Sequence, residues 1–225
     1  MAQSSRSIEL TAADGHRLAA FVATPAGTPR GALVVVQEIF GVNPHIRAVA
    51  EGFAADGYLA IAPALFDRAE RGVEIGYTPP DVQRGAALKA ACSNDAALLD
   101  IASAIAHVGS AGKVGIVGYC WGGLMSWLAA CQLEGLSAAI AYYGGGMPAH
   151  AALTPRCPVL AHFGELDTHI PLDGVQAFCA AQPAVEAHLY AAQHGFNCDQ
   201  RGSFDAPSAS LARARSLTFL RAHVG

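Results

Sequence analysis

Charged residues are scarce in this chain of 225 residues, where Asp, Glu, Lys and Arg together make up 14% of the composition. An ordinary globular domain carries roughly 25% charged residues. Because 52% of the residues are hydrophobic, the composition argues against disorder and predicts a large buried core. The net charge of −4 comes without a cluster of basic residues, which argues against binding to nucleic acid or to an anionic membrane surface.

Signals for export and for metal binding are also lacking. The first seven residues have no apolar core of the kind that a signal peptide needs. Residues 114–133 carry no charge, but their glycines favour a buried strand, turn and helix over a membrane span. The six cysteines contain no C-x-x-C pair, and only the loose pair of His194 and Cys198 approaches zinc-ligand spacing. We therefore expect a cytoplasmic protein without a disulfide framework.

The hydrophobic pattern alternates between strands and helices, and no repeat or long linker divides the chain. We predict one domain over residues 1–225, with strands at 7–11, 17–23, 32–37, 58–62, 113–117, 138–143, 159–163 and 185–190. Predicted helices lie at 44–56, 81–108, 124–133, 172–181 and 206–223. Residues 67–80 are charged and rich in Gly and Pro, and we expect them to pass over the site. This order predicts a mostly parallel sheet with helices on both faces and a ligand site beyond the carboxyl ends of its strands.

The most informative segment runs from Gly118 to Gly123 and reads Gly-Tyr-Cys-Trp-Gly-Gly. It lies between a predicted strand and a predicted helix, which is the layout of a nucleophile elbow with small residues at Gly118 and Gly122. Cys120 stands where a serine is usual. A thiol attacks as thiolate and needs a base or a positive field, part of which the following helix N-terminus supplies. The segment predicts an α/β-hydrolase fold with a cysteine nucleophile.

Two loops further along the chain offer the partners of that nucleophile. Asp167 follows the predicted strand 159–163, and His194 follows the predicted strand 185–190. Nucleophile, acid and histidine then come in the α/β-hydrolase order, and all lie at the same end of the sheet. Asp173 is an alternative acid, and His169 is an alternative histidine, although its closeness to Asp167 in the chain makes that pairing harder.

A carboxylate ends the otherwise apolar strand at 32–37. Glu38 lies in the turn that supplies one oxyanion donor in α/β hydrolases, so we predict an oxyanion hole made by the backbone N–H groups of Ile39 and Trp121. Glu38 could bond the resting thiol or take its proton when substrate arrives. A solvated strand end is the competing interpretation.

Four motifs follow one another along the chain: Gln37 to Asn43, Gly118 to Gly123, Gly164 to Asp167 and His194 to Phe196. With these motifs in this order, the chain resembles the dienelactone hydrolase (carboxymethylenebutenolidase) family. The resemblance spans essentially the whole chain. It implies an α/β-hydrolase fold, a Cys–His–Asp triad, no metal or cofactor, and a role for Glu38 in thiol ionisation. Members of the family open small lactones, typically the dienelactone formed in the breakdown of chloroaromatic compounds.

The sequence departs from the family at the position of a substrate-binding arginine. The best-known members carry an arginine four residues after the catalytic histidine, where this chain has Cys198, and the nearest arginine is Arg201. Arg84 is a candidate for a second arginine that holds the substrate carboxylate. Trp121 is bulkier than the aliphatic residue expected at the oxyanion position. We also assign Tyr143, at the end of the predicted strand 138–143, to substrate binding.

The sequence as a whole predicts a hydrolase that opens small lactones or cleaves small carboxylic esters through a thioester. We expect it to bind a small-molecule substrate and to act in the catabolism of aromatic compounds in the cytoplasm. We expect a monomer or a weak oligomer. A broad thiol esterase without lactone preference is one alternative. A redox-sensing or partner-binding protein on the same fold is another, although a resolving cysteine is not evident.

Overall fold

The computed structural model describes residues 2–225, which form eight β-strands and six α-helices. The strands are β1 (Ser4–Thr11), β2 (Arg17–Thr24), β3 (Ala32–Val36), β4 (Leu59–Pro63), β5 (Val114–Tyr119), β6 (Leu136–Tyr142), β7 (Val159–Gly164) and β8 (Glu186–Tyr190). The helices are α1 (Pro44–Ala55), α2 (Pro79–Ala91), α3 (Asn94–Val108), α4 (Trp121–Gln132), α5 (Leu172–Ala181) and α6 (Ala206–His223). Short 3-10 helices lie at Leu65–Arg68, Gly109–Ala111 and Met147–His150.

All eight strands join one sheet in the order β1-β2-β4-β3-β5-β6-β7-β8. β1 pairs antiparallel with β2, and β2 antiparallel with β4, whereas every other neighbouring pair is parallel. The predicted α/β-hydrolase fold with a mostly parallel sheet is confirmed.

The centre of the sheet brings two motifs to one edge. Every residue of β3 and β5 is buried, as expected for strands that are covered on both faces. The two strands pair in parallel, and Val36 lies opposite Gly118. Since both strands end at the same edge, the loop that carries Glu38 and the turn that carries Cys120 leave the sheet side by side.

The predicted helix 81–108 is wrong as a single element, because the structure divides it into α2 and α3. Cys92 adopts an extended conformation with ψ of 114°, which ends α2. The Ser93 side chain then accepts a hydrogen bond from the Ala96 N–H group at 3.1 Å and caps the start of α3. Short polar side chains that bond the backbone compete with helix continuation, and here that local bond starts a second helix. The other predicted elements are present, with ends that differ by a few residues.

The segment before α2 crosses the loop that follows β3. The Ile75 N–H group donates to the Phe40 carbonyl oxygen at 3.1 Å, and the Tyr77 ring meets the Phe40 ring edge-on at 4.6 Å. Residues 67–80 therefore include the predicted excursion, which covers the loop beside Glu38.

Among the helices of residues 2–225, none combines the length and the apolar character that crossing a bilayer requires.

Candidate active site

Cys120 occupies a strained turn between β5 and α4. Its backbone has φ of 56° and ψ of −115°, a combination that non-glycine residues rarely adopt. A Cβ atom at Gly118 would collide with the Gly122 carbonyl oxygen, and one at Gly122 would collide with the Val36 carbonyl oxygen. The Cys120 N–H group donates to the Tyr142 carbonyl oxygen of β6 at 3.0 Å. The turn is therefore built so tightly that only glycine fits on either side of the thiol.

His194 and Asp167 come together from the loops after β8 and β7. The Nδ1 atom of His194 lies 2.7 Å from Oδ2 of Asp167, and both side chains are buried. The other carboxylate oxygen of Asp167 accepts hydrogen bonds from the backbone N–H groups of His169 and Ile170, at 2.8 and 3.2 Å. These contacts fix the carboxylate, and the carboxylate in turn fixes the orientation of the imidazole ring.

The electrostatics of this pair favour a proton on the imidazole. Burial alone would lower the pKa of His194, but hydrogen bonds to Asp167 and to Cys120 outweigh it and raise this pKa to about 10. Burial alone would also raise the pKa of Asp167. The His194 ring and the two backbone N–H groups outweigh this effect, so the pKa of Asp167 lies below its usual value. An imidazolium held between a thiol and a carboxylate is the charge state in which cysteine nucleophiles attack as thiolates.

The two rivals from the sequence lie outside this pair. Asp173 is exposed and accepts a hydrogen bond from the Gly174 N–H group at 2.8 Å. His169 is exposed as well, and its ring meets the His194 ring at a centroid distance of 5.0 Å. The structure therefore brings Asp167, and not Asp173, into contact with His194.

Cys120 and His194 open into one small cavity of about 180 Å³. Phe40 and Val82 supply apolar walls, and Arg201 contributes a cation. The cavity suits a small, mostly apolar ligand that carries one negative charge.

Glu38 is buried beside this cavity and pairs with Arg201. Its side chain is 1% exposed, and its Oε1 atom accepts a hydrogen bond from Nη1 of Arg201 at 3.1 Å. The guanidinium also lies over the rings of Phe40 and Tyr77, at 5.6 and 6.0 Å from their centroids. Burial alone would lower the pKa of Arg201, but Glu38 and neighbouring groups raise it, so the cation persists. Glu38 is thus not a solvated strand end.

The two predicted oxyanion donors come from the loop after β3 and from the first residue of α4. Ile39 lines the cavity, and Trp121 begins α4, so the Trp121 N–H group is one of the first-turn donors without an intrahelical acceptor. The large indole of Trp121 points away: its Nε1 donates to Oδ1 of Asn94 at 3.1 Å, and its ring stacks on Phe66 at 5.5 Å. The bulk at this position therefore fills the core beneath α3 and leaves the backbone donor available.

Two of the predicted substrate-binding residues lie outside the cavity lining. Arg84 is half exposed and pairs with Glu70 at 2.6 Å on the surface of α2. Tyr143 is fully buried with φ of 37°, and its ring meets the His194 ring edge-on at 5.1 Å. Arg201 alone among the three predicted substrate-binding residues lines the cavity. Tyr143 is positioned to support the histidine instead.

Sequence reasoning missed the residues behind Glu38. His45 in the first turn of α1 and Cys198 in the loop after His194 are both buried, and their side-chain atoms approach the Glu38 carboxylate. Burial, followed by the charge of Glu38, raises the pKa of Cys198 to about 11. No local motif joins these positions, because they are distant in the chain and meet only through the sheet.

The comparisons with known proteins identify one family. A family model described as "Dienelactone hydrolase family" matches residues 18–224. The carboxymethylenebutenolidase of Pseudomonas putida is 34% identical over 226 residues, which cover 95% of this chain and 94% of that protein. A Synechocystis protein assigned the same name is 36% identical over 217 residues, covering 87% of this chain and 88% of its own. A solved structure from Klebsiella pneumoniae, assigned as a dienelactone hydrolase, superposes with a TM-score of 0.82 at 32% identity and covers 97% of this chain and 99% of that one.

Proposed function

Since the chain belongs to the dienelactone hydrolase family and is an ester-cleaving hydrolase, we propose that it opens small lactones or cleaves small carboxylic esters with Cys120 as nucleophile. The proposal rests chiefly on one observation. His194, fixed by Asp167 at 2.7 Å, shares the cavity of about 180 Å³ with the thiol of Cys120. This is the nucleophile, base and orienting acid that acyl transfer requires.

In the proposed mechanism, the Cys120 sulfur forms a bond to the substrate carbonyl carbon. The carbonyl oxygen takes up negative charge, which the N–H groups of Ile39 and Trp121 stabilise. The carbon–oxygen bond to the leaving group then breaks, and the proton on His194 passes to that oxygen. A thioester remains. Water attacks it, gives a proton to His194, and releases the thiol and the acid.

A lactone fits this mechanism well. Its leaving oxygen stays tethered to the acyl group, so opening the ring places both products in one molecule within the cavity. An enol leaving group also needs little protonation. The proposed substrates are therefore small lactones with an enol ester bond, and simple esters are second.

We further propose that Glu38 controls the ionisation of the thiol. In the Glu38→Gln variant, the cation of Arg201 loses its partner carboxylate at 3.1 Å, and the uncompensated charge favours the thiolate. We expect the pH profile of iodoacetamide alkylation at Cys120 to move to lower pH, on the order of one unit. The measurement is the alkylation rate against pH, with the modified residue identified by mass spectrometry.

Glu165→Gln is the matched control, because Glu165 is an exposed carboxylate in the loop after β7. Its alkylation profile should equal that of the unmodified chain. An unchanged profile in Glu38→Gln would remove the proposed role of Glu38 in thiol ionisation.

We propose that Arg201 anchors a carboxylate on the substrate. It is the arginine in the cavity lining, and one of its nitrogen atoms is already engaged by Glu38, which leaves other guanidinium N–H groups for a ligand. For Arg201→Ala we expect KM for a dienelactone carboxylate to rise about ten- to a hundredfold, because a charge-assisted hydrogen bond to the substrate is lost. For a neutral aryl acetate, KM should stay nearly constant. Steady-state kinetics with both substrates measure the split.

Arg84→Ala is the matched control for that experiment, since Arg84 pairs with Glu70 on the surface. Both of its kinetic constants should remain those of the unmodified chain. If Arg201→Ala raises KM for both substrates equally, Arg201 acts through Glu38 and not on the substrate. If the unmodified chain turns over neutral aryl esters as efficiently as the dienelactone, the broad esterase becomes the better description.

A further inference from the structure

Three potential ligand atoms converge behind Glu38. A carboxylate oxygen of Glu38, a ring nitrogen of His45 and the sulfur of Cys198 all lie within 4.8 Å of one another. The residues come from the loop after β3, the first turn of α1 and the loop after His194. All three are buried, with exposures of 1%, 4% and 0%.

Glu38 and His45 each hold one side-chain atom that has no hydrogen-bond partner among the described residues. These atoms are Oε2 of Glu38 and Nε2 of His45, and neither is accessible to solvent. Buried polar atoms without a partner cost free energy, so native proteins rarely leave them unpaired. Because both residues cluster with the thiol of Cys198, one group that binds all three residues would satisfy these atoms.

The second ring nitrogen of His45 is already fixed. Its Nδ1 atom lies 3.0 Å from Oδ1 of Asp199. When the carboxylate accepts the proton of Nδ1, the lone pair of Nε2 is left free to bind a cation. Histidine ligands of metals nearly always donate their other ring N–H to such a partner, which is a carboxylate, a backbone carbonyl or a water.

We propose that Glu38, His45 and Cys198 form a zinc site, with water as the fourth ligand. Zinc takes thiolate, imidazole and carboxylate ligands in tetrahedral geometry, at bond lengths that hold the ligand atoms roughly 3.3–3.7 Å apart. Binding therefore draws the three atoms slightly closer together. The thiol of Cys198 gives up its proton as the sulfur–zinc bond forms.

The charges around the cluster suit a divalent cation. Glu38 and the thiolate of Cys198 contribute two negative charges, and Asp199 adds a third beyond His45. Arg201 contributes one positive charge, but it lies against Oε1 of Glu38 and leaves Oε2 for the metal. The Tyr77 hydroxyl also contacts the Cys198 thiol and accepts a hydrogen bond from Nδ2 of Asn43 at 3.0 Å.

One member of the cluster borders a surface cavity. His45 and Asp199 line a cavity of about 420 Å³ between α1 and the start of α6. This cavity has a different lining from the one that holds Cys120 and His194. The cluster therefore adjoins a second cavity, apart from the one that holds the thiol of Cys120.

The site shares Glu38 with the proposed mechanism, so zinc there would neutralise this carboxylate as the Glu38→Gln substitution does. We therefore expect zinc, like that substitution, to move the alkylation profile of Cys120 to lower pH. Only this consequence depends on the proposed function. The metal site itself is tested by binding, in a variant that has no nucleophile.

The test is a titration of metal-free Cys120→Ala with Co²⁺, a spectroscopic substitute for zinc. We expect one Co²⁺ per chain, with the visible bands of tetrahedral cobalt and a thiolate-to-cobalt charge-transfer band in the near ultraviolet. Added Zn²⁺ should abolish both. A further Cys198→Ala substitution should remove the charge-transfer band, whereas Cys179→Ala, a half-buried thiol on α5, should keep it.

Asp199→Asn provides a milder variant, because the side chain is 68% exposed and the change leaves the three ligands in place. Loss of an orienting carboxylate should weaken Co²⁺ binding about ten- to a hundredfold. Thermal midpoints without metal confirm that each variant is folded. Absence of the charge-transfer band in Cys120→Ala, or its survival in folded Cys198→Ala, would overturn the site.

Discussion

We expect the Cys120→Ala variant to lose hydrolysis of every ester and lactone substrate, by on the order of a millionfold in kcat. Alanine keeps the Cβ atom and removes the only atom at this position that can form the thioester. The turn at residue 120 already accommodates a Cβ, so the fold should be retained. Steady-state kinetics measure the loss, and a thermal midpoint close to that of the unmodified chain excludes unfolding as its cause.

Cys179→Ala is the control for this result, because it removes a free thiol from α5 outside the cavity that Cys120 lines. It should retain activity. Mass spectrometry with a slowly deacylated ester should also find the acyl group on Cys120 in the unmodified chain and in the Cys179→Ala variant. Activity in folded Cys120→Ala would refute the nucleophile.

The second large effect is expected from Asp167→Asn, with kcat lowered on the order of ten thousandfold. An asparagine oxygen can keep the bonds from the N–H groups of His169 and Ile170. Its NH2 group then faces Nδ1 of His194, which must become an acceptor. The proton moves to Nε2, so the imidazole can no longer take a proton from that side. The loop stays ordered while the histidine holds the wrong tautomer.

In the same variant, stability should depend less on pH in the alkaline range. The pKa of His194 is raised from 6.5 to about 10, so its contribution to stability is complete below about 6.5 and is lost as pH rises towards 10. The pKa of Asp167 is lowered from 3.8, so its contribution is present above that value and is lost as pH falls. In Asp167→Asn, burial lowers the pKa of His194 again.

Thermal midpoints between pH 7 and pH 10 test this expectation. The midpoint of the unmodified chain should fall over this interval, and that of Asp167→Asn should fall less. Asp173→Asn is the matched control, because Asp173 is exposed and bonds only its neighbour Gly174 within the described contacts. Equal slopes in the unmodified chain and in Asp167→Asn would contradict the pKa of His194 and its assigned cause.

The sequence is most informative where a structure is made by neighbours in the chain. The elbow around Cys120 can be read directly, because strand, turn and helix are contiguous and the two glycines are needed within the turn itself. The parallel sheet follows from alternation, and the order of Asp167 and His194 follows from the loops that carry them. The split between α2 and α3 was missed because the cap at Ser93 competes with a periodic pattern on both sides.

Contacts between distant segments are where sequence reasoning stops. The sequence offers both Arg84 and Arg201 as candidate anchors, and packing distinguishes them: Arg84 pairs with Glu70 on the surface, and Arg201 pairs with buried Glu38. His45 and Cys198 are far apart in the chain, so no spacing rule joins them. His45 follows β3 and Cys198 follows β8, and three strands (β5, β6 and β7) separate these two in the sheet, so their meeting depends on the whole fold.

The backbone at residue 120 also bears on how the chemistry of the site can be changed. Its positive φ belongs to a turn in which Gly118 and Gly122 lie against neighbouring carbonyl groups with no room for a Cβ atom. Any residue with an unbranched Cβ meets the same conformational cost, about 1–3 kcal/mol, whatever atom it carries next. The backbone therefore fixes where the nucleophilic atom lies. A serine oxygen or a selenocysteine selenium would occupy the same place as the sulfur, and only the reactivity of the nucleophilic atom would differ.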